Sequence, residues 1–99
     1  MGKNEDFSKV IKVVTELTEI SKEAILGKSR EYEVVDARWT VICLMKEKGY
    51  TSKQISSLIK HPIRTVNNAI NCLMIRAKSP YSNLGNTLAI ARQYFSNNP

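Results

Sequence analysis

Arg64, Thr65, Asn67, Asn68 and Asn71 lie close together near the start of an amphipathic segment, and Ile63 opens it. These side chains suit the edges of DNA bases. Arginine pairs bidentately with guanine O6 and N7, and asparagine with adenine N6 and N7, each good pair discriminating by ~1–3 kcal/mol. Spacings of three and four project Arg64, Asn67, Asn68 and Asn71 from one face of a helix, with Val66, Ala69, Ile70 and Leu73 on the other. An asparagine-rich helix face also lowers helix propensity, so some compensating role is expected of it. The competing reading is a polar face that is merely solvated.

Such a face needs elements to hold it. Residues 51–76 read as a short helix, a tight turn at Lys60-His61-Pro62 and a longer second helix. Thr51 or Ser52 caps the first helix over 52–59, and Gln54 stands where a partial capping box needs it. Pro62 fits the first turn of the second helix, where a missing N–H costs nothing. A helix-turn-helix of this kind places its second helix in the major groove, N-terminal residues on the bases, while the first crosses the backbone. Lys53, Lys60 and His61 are then placed for phosphates. Lys28, Ser29 and Arg30 form a basic connector able to reach another phosphate or the minor groove, and Arg38 is a further phosphate candidate.

The rest of the chain repeats at helical spacing, and no segment alternates as a half-buried strand would. A first helix over about 5–19 carries Phe7, Val10, Ile11, Val14, Leu17 and Thr18 on one stripe. Ser21 begins a short helix over 22–26, and Gly27 follows it where a left-handed C-cap is common. A polar connector, 28–32, leads to a long helix over about 33–48, with Val34, Ala37, Val41, Leu44 and Met45 buried and Gly49 as its stop. Trp39 is expected in the core. After the break at Ser79-Pro80, a helix from about 82 to 95 buries Leu84, Leu88, Ala91 and Phe95, ahead of a frayed tail. The expected fold is all-α, one domain of about six helices.

Composition narrows the function classes. The chain has 99 residues and a net charge of +6, unevenly spread. Residues 1–36 carry 6 Lys/Arg against 8 Asp/Glu, a net −2, whereas residues 37–99 carry 9 Lys/Arg and a single acid, Glu47, a net +8. That asymmetry suits a polyanion, since phosphate neutralisation supplies most non-specific nucleic-acid affinity. Dispersed surface lysines are the plainer alternative. Two cysteines and one histidine cannot furnish a four-ligand zinc site without carboxylates, and Cys43 and Cys72 read as reduced core residues. The glycines lie far apart, so no phosphate loop is present, and His61 has no nucleophile motif around it. Neither an enzyme nor a cofactor or metal is expected. With no apolar run near the ~20 residues of a membrane span, and no signal-peptide pattern, the expected location is the cytoplasm, at the nucleoid.

The stretch Ser21-Lys-Glu-Ala-Ile-Leu-Gly-Lys-Ser-Arg30, followed by Val34-Val-Asp-Ala-Arg38, resembles the C-terminal DNA-binding domain of the bacterial replication initiator DnaA. That family has a short helix, a Lys/Arg-rich loop and a long helix entered through an (I/V)-V-x-x-R pattern. Thr51-Ser-Lys-Gln-Ile55 and Thr65-Val66…Ala69 resemble its helix-turn-helix, and the likeness spans roughly residues 7–77. The resemblance implies a six-helix, Trp-repressor-like fold that binds double-stranded DNA, with Lys28, Arg30 and Arg38 at basic positions of the family. The turn departs from the family's G-G-R-D-H-T-T-V: Pro62, Ile63 and Arg64 stand where it has Asp, His and its first Thr. Tyr32 replaces a second basic residue of its loop. The resemblance thus implies duplex binding at a different sequence, and the free-standing form suggests a small regulator of transcription or replication. The rival reading is a protein-interaction module on the same scaffold, a homodimer among its forms, with Ile63 and Tyr81 as apolar contacts.

Overall fold

The computed structural model describes residues 2–79 and 82–97. Pro80 of the expected helix break, Tyr81 as an apolar contact and the end of the tail at Asn98-Pro99 lie outside them. The described residues form six helices and no strand. They are α1 (Lys3–Thr18), α2 (Lys22–Leu26), α3 (Tyr32–Glu47), α4 (Ser52–Ile59), α5 (Ile63–Ala77) and α6 (Leu84–Asn97).

The molecule is arranged around α3, which touches each of the other five helices. A single apolar stripe is too narrow for that position. Asp36, Ala37, Arg38, Thr40, Val41, Ile42, Cys43, Leu44 and Met45 are all buried, along with Val34, so α3 is enclosed on nearly every side. A helix apolar most of the way round belongs in an interior. Trp39 packs partly buried against this core. Phe7, Val10, Ile11, Val13 and Val14 of α1, Ile25 of α2, Ile55 and Ile59 of α4, Val66 and Ala69 of α5, and Leu88 and Ala91 of α6 complete it.

Local chemistry sets the ends. α1 stops at Thr18, where Glu19 turns left-handed (φ 60°), and Leu17, expected on the buried stripe, is 39% exposed. α3 ends at Glu47, one residue short of the expected bound, and Gly49 stops it as expected with a φ of +100° that only glycine adopts easily. There the Tyr50 N–H reaches back to the Met45 carbonyl and the Gly49 N–H to that of Lys46, closing the orphan carbonyls of the last turn. α6 starts two residues later than expected, at Leu84, and its Phe95 is only half-buried.

α2 runs from Lys22 to Leu26 behind its Ser21 cap as expected, but its C-terminal cap departs from expectation. Gly27 is not left-handed but extended (φ −79°, ψ −166°). A Cβ there would come within 3.0 Å of the Glu23 carbonyl oxygen, so glycine is chosen for space rather than for a left-handed turn. The α2 carbonyls must therefore find another donor.

Candidate nucleic-acid interface

α4 opens with a complete capping box: the Gln54 N–H donates to Thr51 Oγ1 at 3.2 Å, and the Thr51 N–H donates to Gln54 Oε1 at 2.9 Å. α4 closes at Lys60, which is left-handed (φ 61°, ψ 40°) without being glycine. The hydroxyl of Ser56 donates to the His61 carbonyl, and the His61 N–H donates to the Ser56 carbonyl at 3.3 Å. Pro62 sits one residue earlier than expected, as the N-cap of α5, and its carbonyl accepts from Thr65 and Val66. The opening N–H groups of a helix have no partner within it, so the start of α5 offers donors and a positive dipole end beside Arg64.

The six residues expected at base edges fall in two environments. Arg64, Asn67, Asn68 and Asn71 are exposed along one face of α5, and Ile63 is 42% exposed at its start. Thr65 is half-buried. Val66 and Ala69 are buried on the opposite face, while Ile70 and Leu73 pack partly buried against the core. Cys72 is not a core residue: it is half-buried, and its thiol lies 3.6 Å from Asn68 Oδ1 along the exposed side of α5. Cys43 is buried, which, together with the adjacent Glu47, pushes its thiol up to about 11.

The residues expected at phosphates divide more sharply. Lys28, Arg30, Lys53 and Lys60 are exposed. Among the described residues the ion pairs are Lys9–Glu5, Arg76–Asp36 and Arg92–Glu47, so these four cations and Arg64 have no acidic partner. Ser29 is half-buried; its Oγ accepts from the Glu31 N–H and its carbonyl from Arg38.

Arg38 is not available to phosphate. It is only 5% exposed and lies beneath α2, donating from Nε to the Ile25 carbonyl (2.7 Å), from Nη2 to Gly27 (2.9 Å) and Ala24 (3.3 Å), and from Nη1 to Ser29 (3.2 Å). Burial lowers its pKa from the ordinary arginine range, but four carbonyl oxygens surround the charge. Its planar fork suits such a cluster of acceptors where a lysine would not. With Gly27 extended, Arg38 is the donor that the end of α2 lacks.

His61 is likewise committed within the molecule. Its Nε2 is 2.8 Å from the Gly27 carbonyl oxygen. A carbonyl only accepts, so Nε2 carries the hydrogen. Nothing in the sequence marks a pairing across 34 positions.

Arg76 escaped the sequence reading altogether. It pairs with Asp36, which is buried, donates to the Tyr32 carbonyl at 3.0 Å, and lies 3.9 Å from the Tyr32 ring centre and 5.1 Å from that of Trp39. The ion pair and ring contacts bind the far end of α5 to the start of α3.

No known protein family, curated protein or solved structure matches this chain. Among the described residues, no three His, Cys, Asp or Glu side chains cluster as a metal site would require, and no helix is long and apolar enough to cross a membrane.

Proposed function

We propose that the chain binds double-stranded DNA, with the start of α5 in the major groove and α4 and the 28–31 connector along the phosphates. One observation carries this reading. Five exposed cations without acidic partners among the described residues, Lys28, Arg30, Lys53, Lys60 and Arg64, occur on the connector and the helix-turn-helix, which also carries an exposed face of three asparagines. Arg64, Asn67, Asn68 and Asn71 read bases, with Ile63 and the half-buried Thr65 at the margin. The resemblance to the DnaA C-terminal domain supports the same assignment, as a Trp-repressor-like module acting as a small regulator at the nucleoid. The altered turn at Pro62, Ile63 and Arg64 favours a recognition sequence different from the initiator's.

Selection of bound sequences from a random duplex pool tests the proposal. A recovered motif is the expected result. Arg64→Ala should then weaken binding to that motif by about 1–3 kcal/mol and relax preference at one position. Absence of duplex binding at low salt would overturn the reading.

A second reading has its own observation. Met74 and Ile75, on the last turns of α5, are 66% and 76% exposed. Isolated apolar residues at a surface are ordinary, but two adjacent ones on the proposed reading helix suit a protein contact, self-association included. Light scattering with and without duplex separates the two: a monomer that binds DNA supports the first reading, and a DNA-indifferent oligomer the second.

A further inference from the structure

Gly27 is gripped from two sides. Its carbonyl oxygen accepts from Arg38 Nη2 at 2.9 Å and from His61 Nε2 at 2.8 Å. Arg38 belongs to the central helix, and His61 to the turn of the helix-turn-helix. Arg38 also holds the carbonyls of Ala24, Ile25 and Ser29. The backbone on both sides of Lys28 is therefore fixed to α3, and at Gly27 it is tied directly to the turn that starts α5. Lys28 is the next residue along from that tie, and Pro62 is the next residue after His61. Lys28 and Arg30 themselves remain exposed and without an acidic partner among the described residues.

A loop carrying two lysine- or arginine-type charges usually has many conformations, and binding must suppress them at an entropic cost. Here the loop backbone is held before any ligand arrives. We propose that His61 is a positioning residue. Through the Gly27 carbonyl it fixes the 28–31 connector relative to the reading helix, so that Lys28, Arg30 and the start of α5 engage one duplex as a single preformed surface. The inference rests on the DNA-binding reading and adds to it: the sole histidine works on the connector, not on the nucleic acid.

The test is a double-mutant cycle on the full chain, with anisotropy of a fluorescein-labelled mixed-sequence duplex measured across about 50 to 200 mM salt. His61→Leu removes the donor at similar bulk, and Lys28→Ala/Arg30→Ala removes the connector charges. Each alone should flatten the salt dependence, the connector variant by about two in slope. Once His61 is Leu, removing the two charges should weaken binding by at least threefold less than in the parent, roughly, because the contacts are already loosened. His61→Gln, which keeps a side-chain N–H donor, should restore most of the affinity. A merely structural role would lower Tm without altering the slope or the coupling.

If His61→Leu and the connector variant act additively, the positioning role is overturned while duplex binding stands. An unchanged slope in Lys28→Ala/Arg30→Ala overturns it too, by removing the connector from the surface. A parent chain that binds no duplex at low salt ends both the inference and the reading beneath it. Should circular dichroism show His61→Leu unfolded, His61→Ser replaces it in the same cycle.

Discussion

Arginine serves three purposes in this chain, and burial separates them. Arg64 is exposed and has no acidic partner among the described residues, Arg76 is held by Asp36 and two aromatic rings, and Arg38 is enclosed under α2 with four carbonyls. Removing the enclosed group leaves several buried acceptors unpaired, each costing ~1–3 kcal/mol if water cannot reach it. Arg38→Met is therefore expected to lower unfolding free energy by about 3 kcal/mol in a urea titration and, by releasing the connector backbone, to flatten the salt dependence of duplex binding as well. Arg64→Ala should weaken duplex binding while leaving unfolding free energy nearly unchanged. Sequence alone could not tell these arginines apart. Arg38 and Arg64 are both cations in helices rich in apolar residues, and only the tertiary position of α2 decides which is used internally.

At the scale of elements, the helix-turn-helix was the most legible part. Its capping box depends on Thr51 and Gln54, three residues apart, and such short-range chemistry is visible in the chain itself. Thr51→Ala should cost ~1 kcal/mol of stability, read as a drop in Tm. Lys60 separates backbone from charge. Its left-handed conformation disfavours a side chain by roughly 1 kcal/mol, so Lys60→Gly should hold or raise Tm while flattening the salt dependence by about one phosphate. The α2 end was misread because Gly27 answers to the space beside the Glu23 carbonyl, not to a positive φ. Cys72 and Phe95 were expected deeper than they are for a related reason. Helical periodicity marks an apolar stripe but not how far a neighbouring helix covers it, and α6 leaves much of its own face uncovered, with Ile90 at 52% exposed. The pairing of His61 with Gly27 left no local mark.

For the whole molecule, the charge asymmetry of the chain is sharper once the fold is known. Arg38, Arg76 and Arg92 are occupied internally, so the basic character available to a ligand rests on Lys28, Arg30, Arg64 and the exposed lysines. Alkaline stability follows from the core. Burial first, and the Glu47 hydrogen bond next, raise Cys43 from 9.0 to about 11. In that interval the unfolded chain has lost a proton that the folded chain keeps, so unfolding becomes easier as pH rises. The Cys43 contribution is complete below pH 9, is lost by about 11, and amounts to ~3 kcal/mol at most. Tyr50, raised by its hydrogen bond to Asp6, acts in the same direction. Denaturant midpoints measured across that range should fall, and Cys43→Ala should flatten the fall. The grip of Arg38 on α2 also has a consequence in the order of synthesis. A five-residue helix does not hold itself in water, and the donor for the end of α2 lies downstream, in α3. As the chain is made, residues 22–29 have no fixed shape until Arg38 arrives, and the connector is tied only when His61 follows. A segment that lies early in the chain is thus finished only after the turn at His61 has been made.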